Sequence, residues 1–331
     1  KSIGIETAGS LNILFSDKTG TITKGQLEVV EFFDGCGRTT NIADAPKMAD
    51  ALHLSIGKNT GALFDDQHHV VGGNMTDQAL LKFIGEDTFR ALAERSDCEV
   101  GVQQDFNSAN KFSQAYLPAQ HRTFYKGAPE RLLAQAKLCL DTAGNEVPID
   151  EAALNAKIDE LANRAMRVLA FGYSKKELVR DEIHEDLVLI GLVGIRDDVR
   201  PEAREAIEEV QKAGIQVVMI TGDRRETAMA IAREANLYHG GDELVLTSAE
   251  LSQMSDDEVK KIIPRIRVIS RALPTDKSRM VRLCQEMNLV VGMTGDGVND
   301  SPALKRADVG FAMGSGTEVA KEAGKLVILD D

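Results

Sequence analysis

The sequence predicts an α/β protein: a doubly wound parallel-sheet domain interrupted after its first strand by an inserted α+β domain with an antiparallel sheet. Three observations carry this reading. From Arg196 onward, short apolar runs alternate with amphipathic helical segments, the pattern of a parallel sheet wound with helices. Leu11-Asn12-Ile13-Leu14-Phe15 has the same buried-strand character, although it stands near the start of the chain. Between them, from Gln26 to Val193, strands and helices follow no strict alternation, which suits an antiparallel sheet. The expected boundaries are 1–25 and 194–331 for the parallel-sheet domain and 26–193 for the insert. Loops at sheet ends tolerate such insertions.

Taken in order, Lys1 to Gly9 reads as a polar connector, and the Leu11–Phe15 strand follows. Leu27 to Phe33 is a strand closed by an Asp34-Gly35 turn. Pro46 to Ile56 and Thr76 to Ile84 read as helices, the second capped by Thr76. Strands are expected over Cys98–Gln104, Phe112–Leu117 and Arg122–Tyr125, then a helix over Pro129–Leu138. Ile149-Asp150 opens a long helix to Ala165, and Arg167–Tyr173 and Leu187–Ile195 are strands. The alternation then runs helix Arg200–Ala213, strand Ile215–Ile220, helix Arg224–Leu237, helix Ser255–Ile263, strand Arg267–Ser270, helix Thr275–Asn288 and strand Leu289–Met293. Gly214 ends the first of these helices. Lys325–Leu329 is expected as the last strand.

Composition narrows the function classes. At 331 residues the chain is long enough for two cores, and 43% apolar with 27% charged residues is ordinary for a globular protein. A formal charge of -13 argues against a nucleic-acid partner, whose phosphates it repels. Cys36, Cys98, Cys139 and Cys284 are scattered without a Cys-x-x-Cys, as reduced thiols would be. No signal peptide is visible. The longest apolar run, Leu187 to Ile195, is about half of what a spanning helix needs.

The chemistry gathers at Asp17. A carboxylate ending a buried parallel strand lies in the crevice where open α/β sheets bind ligands. There it can serve as a nucleophile, forming an acyl phosphate and splitting one hard transfer into two easier ones. Gly20 lets the following turn approach a phosphate, and Thr19 and Thr21 add donors. Three later strands end in suitable residues. Thr221-Gly222-Asp223 follows one; Arg271, then Lys277 in the first turn of a helix, follow the next; Thr294-Gly295-Asp296-Gly297-Val298-Asn299-Asp300 follows a third. A helix N-terminus favours anions, and oxygen ligands flanking a turn suit magnesium. Thr-Gly-Asp alone is a common turn and a lone Lys277 a solvated charge; strand ends sharing one sheet edge make the combination.

Asp17-Lys18-Thr19-Gly20-Thr21 resembles the phosphorylation signature of the P-type cation-transporting ATPases, and the wider set resembles the haloacid-dehalogenase superfamily to which they belong. The segments Thr294 to Lys305 and Asp308 to Gly314 are similar to that family's hinge. The resemblance implies that Asp17 takes the γ-phosphoryl of ATP, with Lys18, Gly222 and Asp223 beside it. It implies Mg2+ held by Asp17, the Thr19 carbonyl and Asp296. Thr221 and Lys277 would bind the phosphoryl oxygens, with Asn299 and Asp300 in support. Asp197 and Arg200, in the segment Gly194 to Pro201, match the family's return into the phosphorylation domain and join the nucleotide set with Arg271. In the insert, Lys126-Gly127-Ala128-Pro129-Glu130 is similar to the family's nucleotide signature. Phe106 and Lys111 fit its adenine-stacking strand, Asp77 its acid near the base, and Arg167 its ribose-and-phosphate arginine. Where many relatives carry an arginine two residues past the stacking phenylalanine, this chain has Ser108.

The same resemblance implies a large loop on the cytoplasmic face of a membrane. Its partners would be ATP or ADP, the membrane and actuator domains of a longer pump, and a transported cation, with Ca2+ the first expectation and a sodium/potassium-like pump the alternative. Two other classes compete. A soluble phosphatase of the same superfamily usually carries a second Asp two residues after the nucleophile, where this chain has Thr19. A nucleotide-binding regulatory module without chemistry would not need Asp17, Lys277 and Asp296 together.

Overall fold

Successive residues of a strand face opposite sides, so a strand covered on both faces must be apolar at every position. Ile13, Leu14 and Phe15 of the Ile13–Asp17 strand meet that condition, and the strand sits at the centre of a parallel sheet. The computed structural model describes residues 11–295 and 309–312. From edge to edge the strands are Leu244–Thr247, Ile266–Ser270, Gln216–Ile220, Ile13–Asp17, Val291–Gly295 and Val309–Ala312. Every neighbouring pair is parallel. Ile13 and Phe15 pack with Val218, Ile220, Met280 and Cys284, toward the helices Asp256–Ile262 and Pro274–Glu286. Leu14 packs the other way, with Val217, Met219, Ile207 and Ile231, toward the helices Ala203–Lys212 and Arg225–Glu234. The sheet is therefore wound on both faces.

Contacts divide the chain into two units at Gln26/Leu27 and at Arg196/Asp197. The second unit is built on a mostly antiparallel sheet, whose order begins Val102–Gln104, Phe112–Leu117, Arg122–Gly127, Arg167–Ser174 and Leu187–Val199. These five pair antiparallel in turn. Leu187–Val199 then pairs parallel with Ala136–Leu140, which pairs antiparallel with Glu146–Pro148; Thr23–Asp34 also pairs with Leu187–Val199. Alternation again divides the cores. Phe124 joins Phe171, Val188, Met48, Leu52 and Leu80 on the side of the helices Pro46–Gly57, Met75–Ile84 and Glu86–Glu94. Tyr125 joins Ala170, Leu189, Leu132, Leu154 and Leu161 on the side of Pro129–Leu133 and Glu151–Asn163. The mixed α/β architecture with one parallel and one mainly antiparallel sheet is the expected one.

Several elements differ from expectation. The helix expected over Pro129–Leu138 stops at Leu133, and Ala136–Leu140 is a strand. A short apolar run does not declare its type, and here pairing with Leu187–Val199 decides it. The Met75–Ile84 helix is capped by Asn74, whose Oδ1 accepts the Asp77 amide at 2.8 Å, not by Thr76. Of Cys98–Gln104 only Val102–Gln104 is a strand, because Ser96–Cys98 closes a 3-10 turn. The helix Glu86–Glu94, the hairpin Ala62–Phe64/Val70–Gly72, the strand Leu244–Thr247 and the helix Ser248–Ser252 were not anticipated. Val309–Ala312 forms the edge strand of the parallel sheet, while the expected connector Lys1–Gly9 and strand Lys325–Leu329 lie outside the described residues. Among the described residues no helix is long and apolar enough to cross a membrane.

Candidate functional site

Asp17 closes the central strand, opposite Ile220 on one side, and its amide donates to the Thr294 hydroxyl at 3.1 Å on the other. Beyond these strand ends opens a cleft of about 230 Å3 lined by Asp17, Thr19, Thr221, Gly222, Pro274 and Lys277, among others. Lys277 lies in the first turn of the Pro274–Glu286 helix and donates from Nζ to Asp17 Oδ1 at 2.5 Å. The two side chains are 13% and 16% exposed, so the pair is little screened. The same helix start directs its positive dipole end toward the cleft region. Thr221 is buried, and its hydroxyl accepts the Asp223 amide at 3.1 Å. Lys18 is buried too, with its ammonium 2.8 Å from Asp223 Oδ2.

The turn after Asp17 is held from below by the returning chain. Gly20 stands at φ 73°, and Gly25, at φ 81°, approaches it so closely that a Cβ there would lie 3.1 Å from the Gly20 Cα. Asp197 accepts from the Thr23 hydroxyl at 2.5 Å and from the Gly25 and Gln26 amides at 2.8 and 3.2 Å. Arg200 donates to the carbonyls of Gly20 and Thr23 at 2.9 and 3.2 Å. The family resemblance groups both residues with the nucleotide set. The structure places them under the Asp17 loop as braces, in the unit without Phe106. Arg271 belongs to that unit as well. It is exposed at φ 50° and is not among the cleft-lining residues, and its amide donates to the Asp223 carbonyl at 2.8 Å.

In the other unit, two adjoining cavities of about 220 and 370 Å3 share Asn74, Asp77, Phe106 and Lys126. Lys126 is 7% exposed; its Nζ donates to Asp77 Oδ1 at 2.7 Å and to the Asn59 carbonyl. Burial pushes the Lys126 ammonium below the usual lysine range, against the pull of Asp77. Asp77, 13% exposed, also accepts the Gly61 amide at 3.3 Å. Phe106 is 50% exposed at the cavity wall, a large apolar ring left uncovered. Gly127 is required by close packing, since a Cβ would meet Phe112 Cβ at 2.5 Å and the Lys111 carbonyl at 2.6 Å. Arg167 lines the larger cavity and donates to the Thr76 hydroxyl at 3.0 Å. Lys111, exposed at φ 62°, is not among the residues lining either cavity; its carbonyl accepts the Ala128 amide at 2.9 Å.

Asp296, Asn299 and Asp300 lie outside the described residues. Among the described residues no cluster of three or more His, Cys, Asp or Glu side chains forms a metal site. The cleft does hold hard oxygen donors, the Asp17 carboxylate and the Thr19 backbone, of the kind magnesium takes. Sequence reasoning missed Thr294 as the acceptor for the Asp17 amide, although it opens the quoted Thr-Gly-Asp string. It also missed Asn59, Met75, Ser113 and Leu169 around the cavities, which only the strand and helix arrangement brings to Phe106.

Residues 48–202 match the family model described as P-type ATPase, cytoplasmic domain N. The chain is 38% identical to the plasma membrane-type calcium-transporting ATPase 10 of Oryza sativa subsp. japonica, over 98% of its own length and 34% of the relative. It is 34% identical to calcium-transporting ATPases of Listeria monocytogenes and Bacillus subtilis, over 99% of its length and 38% and 40% of theirs. It thus spans between 34% and 40% of the length of these relatives.

Removing one partner of a buried ion pair strands the other charge, at a cost of about 3–5 kcal/mol. Asp77→Ala is therefore expected to destabilise the chain by roughly that amount. The double variant Asp77→Ala with Lys126→Met should recover most of it, because no ammonium is left buried. Thermal unfolding followed by circular dichroism gives the comparison. Additive losses in the double variant would show that the pair is not coupled.

Proposed function

We propose that the chain is part of a P-type ATPase, the part that binds ATP with magnesium and accepts the γ-phosphoryl group on Asp17. The observation that carries this reading is the Lys277 ammonium 2.5 Å from the Asp17 carboxylate, at the end of the central strand and the start of a helix. In this reading the unit containing Asp17 is the phosphorylation domain and Leu27–Arg196 the nucleotide-binding domain. The cleft has the parts that phosphoryl transfer needs: a nucleophile at a fixed position and positive groups for the equatorial oxygens. A bond forms between an Asp17 carboxylate oxygen and the γ-phosphorus while the bond to the β,γ-bridging oxygen breaks, and ADP leaves with that oxygen. Lys277 and the Thr221 hydroxyl hold the phosphoryl oxygens, and the positive end of the helix dipole favours their charge. Asp17, the Thr19 carbonyl and Asp296 would hold magnesium, which supplies charge neutralisation on the phosphates when bound. Asp197 and Arg200 keep the Asp17 loop in place through the Gly20 to Gln26 backbone.

The base and ribose are assigned to the cavities of the other unit, with Phe106 stacking on the base and Lys126, Asp77 and Arg167 at the polar wall. The relatives are named as calcium-transporting, and we extend that to Ca2+ as the cation moved by the full-length protein. Its membrane and actuator domains would be the partners through which the aspartyl phosphate drives transport, with this chain on the cytoplasmic face.

In the full-length protein, magnesium and γ-labelled ATP are expected to give an acid-stable, hydroxylamine-labile phosphoprotein. Asp17→Asn should abolish it, and an undiminished yield in that variant would overturn the assignment. Thr19 stands where hydrolytic relatives carry an acid, so no carboxyl is placed two residues on to take a proton from water. A well-placed general base contributes about 10²–10⁴-fold. Thr19→Asp should therefore shorten the lifetime of the phosphorylated chain in a chase with unlabelled ATP, whatever the amount formed. Decay as slow as in the parent would show that exclusion of water, not the residue at 19, preserves the acyl phosphate.

A further inference from the structure

Scattered in the sequence, two of the four cysteines meet in the fold. Cys36 and Cys139 are 103 residues apart in the chain, yet their Sγ atoms stand 3.7 Å from each other, and both are free thiols. They share one core with Phe33, Leu154 and Leu189, whereas Cys98 and Cys284 belong to two other cores. The approach is built by the backbone. Cys36 follows the Asp34-Gly35 turn, and the Gly35 amide donates to the Leu140 carbonyl at 2.8 Å, next to Cys139. Glycine permits this contact, since a Cβ at residue 35 would lie 2.5 Å from the Leu189 carbonyl oxygen and 2.7 Å from the Leu140 backbone. Buried Asp34 fixes the turn. Its Oδ1 accepts the Cys36 and Arg38 amides at 2.9 and 3.0 Å, and its Oδ2 accepts the Thr142 hydroxyl at 2.5 Å. Cys139 sits in the Ala136–Leu140 strand, 1% exposed, opposite Leu189 on one side and Val147 on the other. Cys36 is only partly covered, so a reagent in solution reaches it first. Neither cysteine lines the Asp17 cleft or the cavities beside Phe106.

We infer that Cys36 and Cys139 are a reversible disulfide site, formed in the folded chain by exchange with a small disulfide in solution. The Cys36 thiolate attacks one sulfur of the small disulfide; that S–S bond breaks, and one small thiol leaves with the proton that Cys36 gave up. The Cys139 thiolate then attacks Cys36 Sγ, the protein disulfide forms, and the second small thiol leaves with the proton from Cys139. The protein thiols give up two electrons, and the reagent is reduced to two thiols. A disulfide bond is about 2.05 Å long, so the sulfurs close by about 1.7 Å, and side-chain rotation at Cys36 supplies that movement. Burial pushes both thiols above the usual cysteine range, Cys139 up to about 12, so the exchange is slow at neutral pH. Once formed, the bond closes a loop over 103 residues and restricts the unfolded chain, which stabilises the fold.

The test incubates the whole folded chain with oxidised glutathione, digests it without reduction and maps the peptides by mass spectrometry. One linked pair, Cys36 with Cys139, is expected, with Cys98 and Cys284 still free to alkylate after denaturation. The linked chain should melt about 5–10 °C higher than the reduced one, and dithiothreitol should reverse both changes. Cys139→Ala should stop at a glutathione adduct on Cys36, which traps the first step. Linkage of a different pair, linkage only when urea is present, or a linked chain that melts no higher than the reduced one would overturn the inference. So would a parent that stays reduced or that stops at the Cys36 adduct.

Discussion

The ion pair between Lys277 and Asp17 is the interaction on which the strand-end cleft depends. Both charges are largely removed from water, and that costs free energy unless each is held close to its opposite. Each position is fixed by a different element. Asp17 is carried by a strand with parallel neighbours on both sides, and Lys277 by the first turn of a helix packed on the sheet through Met280 and Cys284. Neither residue can shift without moving part of the core. An anion arriving at Asp17 therefore meets a cation already in place, which lowers the reorganisation needed as charge develops.

The loop following Asp17 is specified by residues far away in the sequence. Asp197 and Arg200 tie down the backbone from Gly20 to Gln26, and both follow at once after the chain re-enters this unit. An insertion of a whole sheet between residue 26 and residue 197 thus leaves the Asp17 loop braced by the segment that closes the insertion. Asp197 and Arg200 hold backbone groups of the loop, and Asp197 also the Thr23 hydroxyl, contacts that their matched motif does not announce.

Much of this was legible in the sequence because the signals were of the right kind. Parallel strands buried on both faces leave unbroken apolar runs, and strand-end motifs such as Thr221-Gly222-Asp223 announce a crevice without any coordinates. The cleft around Asp17 could be assembled from these alone, with Lys277 and Thr221 both found lining it. Local competition hid the rest. Ala136–Leu140 is a strand only because Leu187–Val199 lies beside it, and a short apolar run carries no sign of that neighbour. Asn74 and Thr76 are both capable caps, two residues apart, and the hydrogen bond to Asp77 decides between them. The Leu244–Thr247 strand has no place among the expected elements, yet the Thr247–Glu250 capping box after it is readable.

In the proposed function the two units divide the work in a way that matches their construction. Phosphoryl chemistry is assigned to strand ends of the parallel sheet, where loops converge on one edge, and base recognition to cavities of the antiparallel unit, beside Phe106 and Lys126. The central claim, that the acyl phosphate forms on Asp17, is tested most directly by chemical trapping. Borohydride reduces an aspartyl phosphate to homoserine, and peptide mass spectrometry after reaction with magnesium and ATP locates the conversion. Homoserine at position 17 and at no other aspartate is the predicted result; conversion at a different residue, with Asp17 intact, would contradict it.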